Sequence, residues 1–146
     1  MPSPAELYQN VILEHNRSPR NYRVMEGADR RAEGSNPVCG DSITVWLKLD
    51  DDVISDVSFH GAGCAISRAS ASLMTAAVKG KSCREAGEVF ARFHRMVLGR
   101  PDPADAETMG KLAVFSGISA FPTRVKCASL PWHALKAALS PDKPTT

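Results

Sequence analysis

Asp41-Ser42-Ile43-Thr44-Val45-Trp46-Leu47-Lys48-Leu49-Asp50-Asp51-Asp52-Val53-Ile54-Ser55-Asp56-Val57-Ser58-Phe59 is the stretch whose reading decides the fold. Ile43, Val45, Leu47 and Leu49 alternate with Ser42, Thr44, Trp46 and Lys48, the period of two that sends every second side chain to one face of a strand. Asp50, Asp51 and Asp52 turn the chain, and Val53, Val57 and Phe59 carry a second strand back, so an antiparallel hairpin is the economical reading. Gly61-Ala62-Gly63 ends that strand. Ala65 to Lys79, rich in Ala, Ser, Leu and Met, then reads as a helix stopped by Gly80, with Cys64 at the junction.

The flanks follow from the same rules. Ser3-Pro4-Ala5-Glu6 opens a helix: Ser3 can cap it, Pro4 sits where its missing N–H is harmless, and Glu6 completes a capping box. Leu7, Val11, Ile12 and Leu13 give it an apolar face out to about Asn16. Arg17 to Ser35 is polar, contains Pro19, Gly27 and Gly34, and is expected to be an irregular connection with one short strand of unmarked position. Ser82-Cys83-Arg84-Glu85 is a second capping box, starting a helix whose Ala86, Val89, Phe90, Phe93 and Val97 keep helical spacing up to Gly99. A loop at Pro101 to Asp105, a short helix over Ala106 to Phe115 and an irregular stretch from Gly117 to Pro122 are expected next. The last helix is expected from near Cys127, carrying Leu130, Leu135, Ala138 and Leu139, with Pro131 fitting only in its first turn. Ser140 to Thr146 reads as a frayed tail. Strands grouped ahead of helices, without alternation, indicate an α+β domain: a small antiparallel sheet of about three strands packed against several helices.

The totals set bounds. At 146 residues and 15.7 kDa the chain, residues 1–146, suits one domain. No apolar run is long enough to cross a bilayer, and the N-terminus lacks the basic start and apolar stretch of a signal peptide, so the expected compartment is the cytoplasm and no membrane is expected as partner. A net charge of +2, with Lys and Arg scattered among acidic residues, gives no field to attract nucleic acid. Four cysteines in a reducing compartment read as metal ligands or reactive thiols rather than as disulfides.

Their surroundings narrow the choice. Cys39-Gly40-Asp41 puts a thiol and a carboxylate two residues apart, on the same side of an extended segment and within reach of one ion, with Gly40 leaving the backbone free to bend. Cys64 and Cys127 lie at expected helix starts, where free N–H groups and the helix dipole favour a thiolate. Three thiolates and one carboxylate form a tetrahedral set suited to zinc. The spacing lacks paired C-x-x-C knuckles, so a metal site and inert thiols both stay open on this ground. Cys83, inside a capping box beside Arg84, reads as a partly buried small residue. His60, near Cys64, is the best alternative ligand but on a strand more often packs or faces water. His133 falls on a different helix face from Cys127, and His15 and His94 read as structural. Lys126 and Arg124 read as solvated cations that would also help hold a thiolate or a persulfide. Trp46 and Trp132 read as core or partner-facing aromatics.

Several segments together resemble the IscU-like iron-sulfur scaffold proteins, and within them the SufU branch: Leu7-Tyr8 through Ile12, His15, Pro19-Arg20-Asn21, Asn36-Pro37-Val38-Cys39-Gly40-Asp41, Gly61-Ala62-Gly63-Cys64-Ala65-Ile66-Ser67, Val78-Lys79-Gly80-Lys81, and Phe121 through Ala128. They span nearly the whole chain. The resemblance implies an IscU-like α+β fold with Cys39, Cys64 and Cys127 meeting at one end, and with Asp41 and these three as zinc ligands. The scaffolds of the family carry a histidine directly before the last cysteine and a Leu-Pro-Pro-Val-Lys motif upstream, whereas Lys126 and Phe121-Pro122-Thr123-Arg124-Val125 stand here. Gly99 to Phe121 resembles the insertion of the SufU branch, while Arg23 to Glu33 matches no pattern of the family. The resemblance thus implies a zinc-bound protein that accepts persulfide sulfur from a SufS-like cysteine desulfurase for iron-sulfur cluster assembly. A desulfurase histidine would take over a ligand place to free Cys39. Cys39 is the expected acceptor, since it precedes a flexible glycine while Cys64 and Cys127 are held at helix starts. Downstream iron-sulfur assembly proteins are the implied recipients. The alternatives are a scaffold that assembles an iron-sulfur cluster at the same residues and a purely structural zinc module. A zinc hydrolase fits less well, because four protein ligands leave no place for water.

Overall fold

The computed structural model describes residues 4–36, 40–100 and 109–139. Helix α1 spans Pro4–Arg17, strands β1, β2 and β3 span Arg30–Asn36, Asp41–Asp50 and Val53–Ala62, and helices α2 and α3 span Ala65–Val78 and Cys83–Val97. A 3₁₀ helix, Gly110–Ile118, and helix α4, Pro122–Leu139, complete the described elements. The three strands form one antiparallel sheet in the order β1-β2-β3. Fold class and hairpin are those expected from the alternation around Ile43.

Ile43, Val45, Leu47, Val57 and Phe59 are wholly buried on the inner face of the sheet. A register shift between Lys48 and Leu49 interrupts the alternation, which is why Leu49 is only half-buried. Helix α4 covers β1 and β2, while α2 packs on both β3 and α4. Small residues let α2 approach α4 closely, and its buried Ser70 hydroxyl is spent on the contact: Trp132 Nε1 donates to Ser70 Oγ at 3.1 Å, and Ser70 Oγ donates to the Ala128 carbonyl at 2.6 Å. Trp132 also stacks on Phe93 of α3 with ring centroids 4.5 Å apart. Helix α1 docks on α2 through buried His15, whose Nδ1 lies 2.6 Å from Ser72 Oγ, and through Asn16, whose amide donates to the Ala65 carbonyl at 2.8 Å. No helix among the described residues is long and apolar enough to cross a membrane.

One expectation gains its position and two change. The strand of unmarked position is β1, a sheet edge whose seven residues bury only Ala32 fully, so its sequence carries no apolar alternation. Of the helix expected over Ala106 to Phe115, residues 106–108 lie outside the described residues, and the part from Gly110 on is a 3₁₀ helix reaching Ile118. Met109, Leu112, Phe115 and Ile118 are buried at intervals of three, the period of a 3₁₀ helix, whose side chains eclipse every third residue. Helix α4 begins at Pro122, a residue whose fixed φ suits a first helical position, so Cys127 lies inside the helix and not at its start. Pro131 is then interior and leaves the Cys127 carbonyl without its usual helical donor. Ser67 Oγ, 3.0 Å away, is positioned to fill that vacancy. The expected cap Ser3, the loop Pro101 to Asp105 and the tail Ser140 to Thr146 lie outside the described residues.

Candidate metal centre

Asp41 is the first residue of β2 and is 3% exposed. It follows Gly40, whose φ of 72° is a left-handed conformation that glycine adopts without strain, and the Gly40 N–H donates to the Asn36 carbonyl at 2.8 Å. The chain therefore turns at Gly40, the residue between the expected ligands Cys39 and Asp41. Cys39 itself lies outside the described residues.

Cys64 is the N-cap of α2, as the glycine-rich turn suggested, and its Sγ accepts from the Ser67 N–H at 3.4 Å. The end of β3 ahead of it requires a glycine: a Cβ on Gly61, where φ is 150°, would stand 2.0 Å from the Ser42 carbonyl oxygen. Cys127 is buried in α4. One donor atom from each of Asp41, Cys64 and Cys127 lies within 4.8 Å of the others. Two ligands about 2.3 Å from a common ion are at most about 4.6 Å apart, so a separation of up to 4.8 Å stands at the outer edge of one zinc coordination sphere.

The carboxylate is held on both oxygens. Asp41 Oδ1 accepts from the Cys64 N–H at 3.0 Å, and Oδ2 accepts from Ser67 Oγ at 2.8 Å. An ionised carboxylate has about four lone-pair directions, so both bonds leave room for a metal. Two soft sulfurs and one hard oxygen, with Asp41 and Cys127 buried and Cys64 half-buried, are a donor set that fits zinc.

Other candidates stand apart from this cluster. Cys83 opens α3 half-buried, and burial, then the Asp52 charge, pushes its thiol up, which keeps it protonated and unreactive at neutral pH. His60 is exposed and stacks on Tyr22 with centroids 4.8 Å apart. His94 and His133 meet each other and Phe90 on the α3–α4 surface, and burial, then His94 and Lys136, lowers His133. Lys126 is exposed, and the exposed Arg124 lies over the Phe121 ring at 4.5 Å. Ser67 was missed by the sequence reading. Ser67 is wholly buried, and its signal was a hydroxyl three residues past a capping cysteine. Tyr8 and Arg124 line an apolar cleft of about 790 Å³ between α1, the 3₁₀ helix and the start of α4, with Leu7, Val11, Ile118 and Phe121.

A family model described as the NifU-like N-terminal domain matches residues 7–128. The chain is 41% identical over 133 residues to the iron-sulfur cluster assembly scaffold protein IscU of Streptococcus pyogenes serotype M1, covering 91% of this chain and 82% of that one. It is 39% identical over 137 residues to the zinc-dependent sulfurtransferase SufU of Bacillus subtilis strain 168, covering 94% and 92%. The crystal structure of FiSufU from Fervidobacterium islandicum AW-1 superposes with a TM-score of 0.85 at 36% identity, over 92% of this chain and 97% of that one. The family match begins in α1, ends in α4 just past Cys127 and takes in all three residues of the Asp41-Cys64-Cys127 cluster, so the chain belongs to the NifU-like N-terminal domain family.

Proposed function

We propose that this chain is a zinc-bound sulfur-transfer protein, taking persulfide sulfur from a cysteine desulfurase in the cytoplasm and passing it to iron-sulfur cluster assembly. The observation that carries the reading is the convergence of one carboxylate and two thiols, Asp41, Cys64 and Cys127, from β2, α2 and α4. The name of the Bacillus subtilis relative supports it. Cys39, two residues ahead of Asp41 in the chain, supplies the fourth donor in this reading. Zinc, when bound, keeps cysteine thiols deprotonated at neutral pH, where a free thiol with a pKa of about 8.5 is mostly protonated.

The chain's own residues do the rest. Ser67 and the Cys64 N–H orient the Asp41 carboxylate, and burial in α4 fixes Cys127. Cys39 acts as the nucleophile: its thiolate attacks the outer sulfur of the desulfurase persulfide. The sulfur-sulfur bond of the donor breaks, the desulfurase cysteine leaves as a thiolate with the electron pair, and the persulfide now stands on Cys39.

A second reading, a scaffold that assembles a cluster at the same residues, draws on the name of the Streptococcus pyogenes relative. Lys126, directly before Cys127, weighs against it, since an ammonium has no lone pair for iron. The test is alanine release by a cysteine desulfurase with metal content measured on the same sample. Sulfur transfer predicts one zinc and faster release. Unchanged turnover, with a stable brown cluster after anaerobic reconstitution that passes to an apo-acceptor, would support the scaffold instead.

A further inference from the structure

Lys126, Ser129 and His133 follow one another on one face of α4 at helical spacing and border a cavity of about 300 Å³ that no step of sulfur transfer uses. His94 of α3, with Ser35 and Asn36 at the end of β1, lines its other sides. Each of these six side chains carries a hydrogen-bond donor, and no carboxylate lines the cavity among the described residues. Ser129 is 5% exposed, and its hydroxyl is shut off from solvent with no hydrogen-bond partner among the described residues. A serine hydroxyl inside a helix has the carbonyl one turn back within reach, and leaving a buried one unpaired costs free energy. The buried Ser67 and Ser70 of α2, by contrast, both donate to carbonyls of α4. The His94 and His133 rings stand with centroids 5.6 Å apart. Burial first, then the charges of His94 and Lys136, holds His133 below its ordinary value, so the field at this corner is positive. A cation here would meet an ammonium and no carboxylate, whereas an anion would meet donors from three elements.

We propose that this cavity binds a small tetrahedral oxyanion of the phosphate or sulfate class. Ser129 supplies the buried hydroxyl, His94 and His133 each donate a ring N–H, and the Lys126 ammonium supplies the charge. A neutral imidazole keeps one N–H to donate, so the site needs no further proton. Lys126 and His133 are exposed, and rotation of their side chains admits the anion to Ser129. The Asn36 carbonyl accepts from the Gly40 N–H at 2.8 Å, which sets the site beside the turn leading into Asp41. Once bound, the anion ties α3 to α4 and supplies the acceptor that the Ser129 hydroxyl lacks.

Histidine Cε1 signals test this in the full chain, with chloride replaced stepwise by inorganic phosphate at fixed pH and ionic strength. The sequence has four histidines, assigned by replacing each in turn with glutamine. The His94 and His133 signals should follow one saturating curve while those of His15 and His60 stay. No shift at His94 and His133, a shift that rises without saturating, or an equal shift at all four histidines overturns the proposal. Ser129→Ala separates binding from the general stabilising effect of phosphate, which acts by exclusion from any protein surface. In chloride the variant should melt no lower than wild type, because it loses only an unpaired hydroxyl. Its Kd for phosphate should rise by roughly tenfold, as expected for one hydrogen bond to a charged group. A variant that binds phosphate as tightly as wild type contradicts the proposal. So does one that melts lower or fails to fold in chloride, since its hydroxyl then had a partner already.

Discussion

Ser67 has one hydroxyl proton and two acceptors in reach, Asp41 Oδ2 at 2.8 Å and the Cys127 carbonyl at 3.0 Å. It therefore links the carboxylate of the centre to the helix that carries a thiol. Ser67→Ala should cost about 1–3 kcal/mol in urea unfolding, since the one buried donor that the two acceptors share is lost. It should also weaken zinc by about 10–100-fold in chelator competition, as loss of an outer partner of a ligand usually does. A variant with wild-type zinc affinity would show that Asp41 is oriented without it. Cys83 supplies the opposite case. Its backbone N–H bonds to the Asp52 carbonyl at 2.8 Å, and its thiol is no member of the Asp41-Cys64-Cys127 cluster. Cys83→Ser should keep the zinc-to-protein ratio and sulfur transfer of wild type, and loss of zinc there would prove the ligand set wrong.

Among the elements, those with a strong local period or cap were legible in the sequence. The β2–β3 hairpin announced itself by alternation, and α3 by Ser82, whose Oγ accepts from the Glu85 N–H at 3.1 Å while Glu85 Oε1 accepts from the Ser82 N–H at 3.0 Å. Strand β1 was not legible, because Arg30-Arg31-Ala32-Glu33-Gly34-Ser35-Asn36 gains its place from pairing with β2 and from α4 packed over it. The start of α4 was misplaced because an interior proline is tolerable only where a distant residue, here Ser67, satisfies the carbonyl it strands. The docking of α1 on α2 carries a pH signature. Burial, then the Arg20 charge, holds His15 below its ordinary value, with Lys111 acting in the same direction and Glu14 against it. The unfolded chain therefore takes up the proton first. Stability from this group is full above about pH 6.5 and falls as pH drops through and below that value, levelling off once the folded value is passed. Urea midpoints followed from about pH 7 to pH 5 should fall less steeply in His15→Gln than in wild type, with a remainder from His133, which is lowered in the same sense. Parallel slopes would show that His15 titrates as freely folded as unfolded.

For the molecule as a whole, a metal at this centre joins β2, α2 and α4, segments far apart in sequence. No such site exists in the unfolded chain, so binding energy is folding energy. Stripping zinc should lower the melting temperature on the order of 10 °C, given about 4 kcal/mol for a ligand at 1,000 times its Kd and about 2–4 °C per kcal/mol in a chain of this size. Stoichiometric removal without a shift would contradict the centre's structural role. The donor types were legible in the sequence because cysteine and aspartate announce their chemistry. Ser67 was not, because a hydroxyl declares no role until its neighbours are known. The central claim is that sulfur enters through Cys39. Its most direct test incubates the zinc-loaded chain with a cysteine desulfurase and cysteine, traps thiols by alkylation and maps the extra sulfur by peptide mass spectrometry. The account predicts the first persulfide on Cys39, and none on the chain in a folded Cys39→Ser variant. A first persulfide on Cys64 or Cys127, or a Cys39→Ser variant that still carries one, would contradict it.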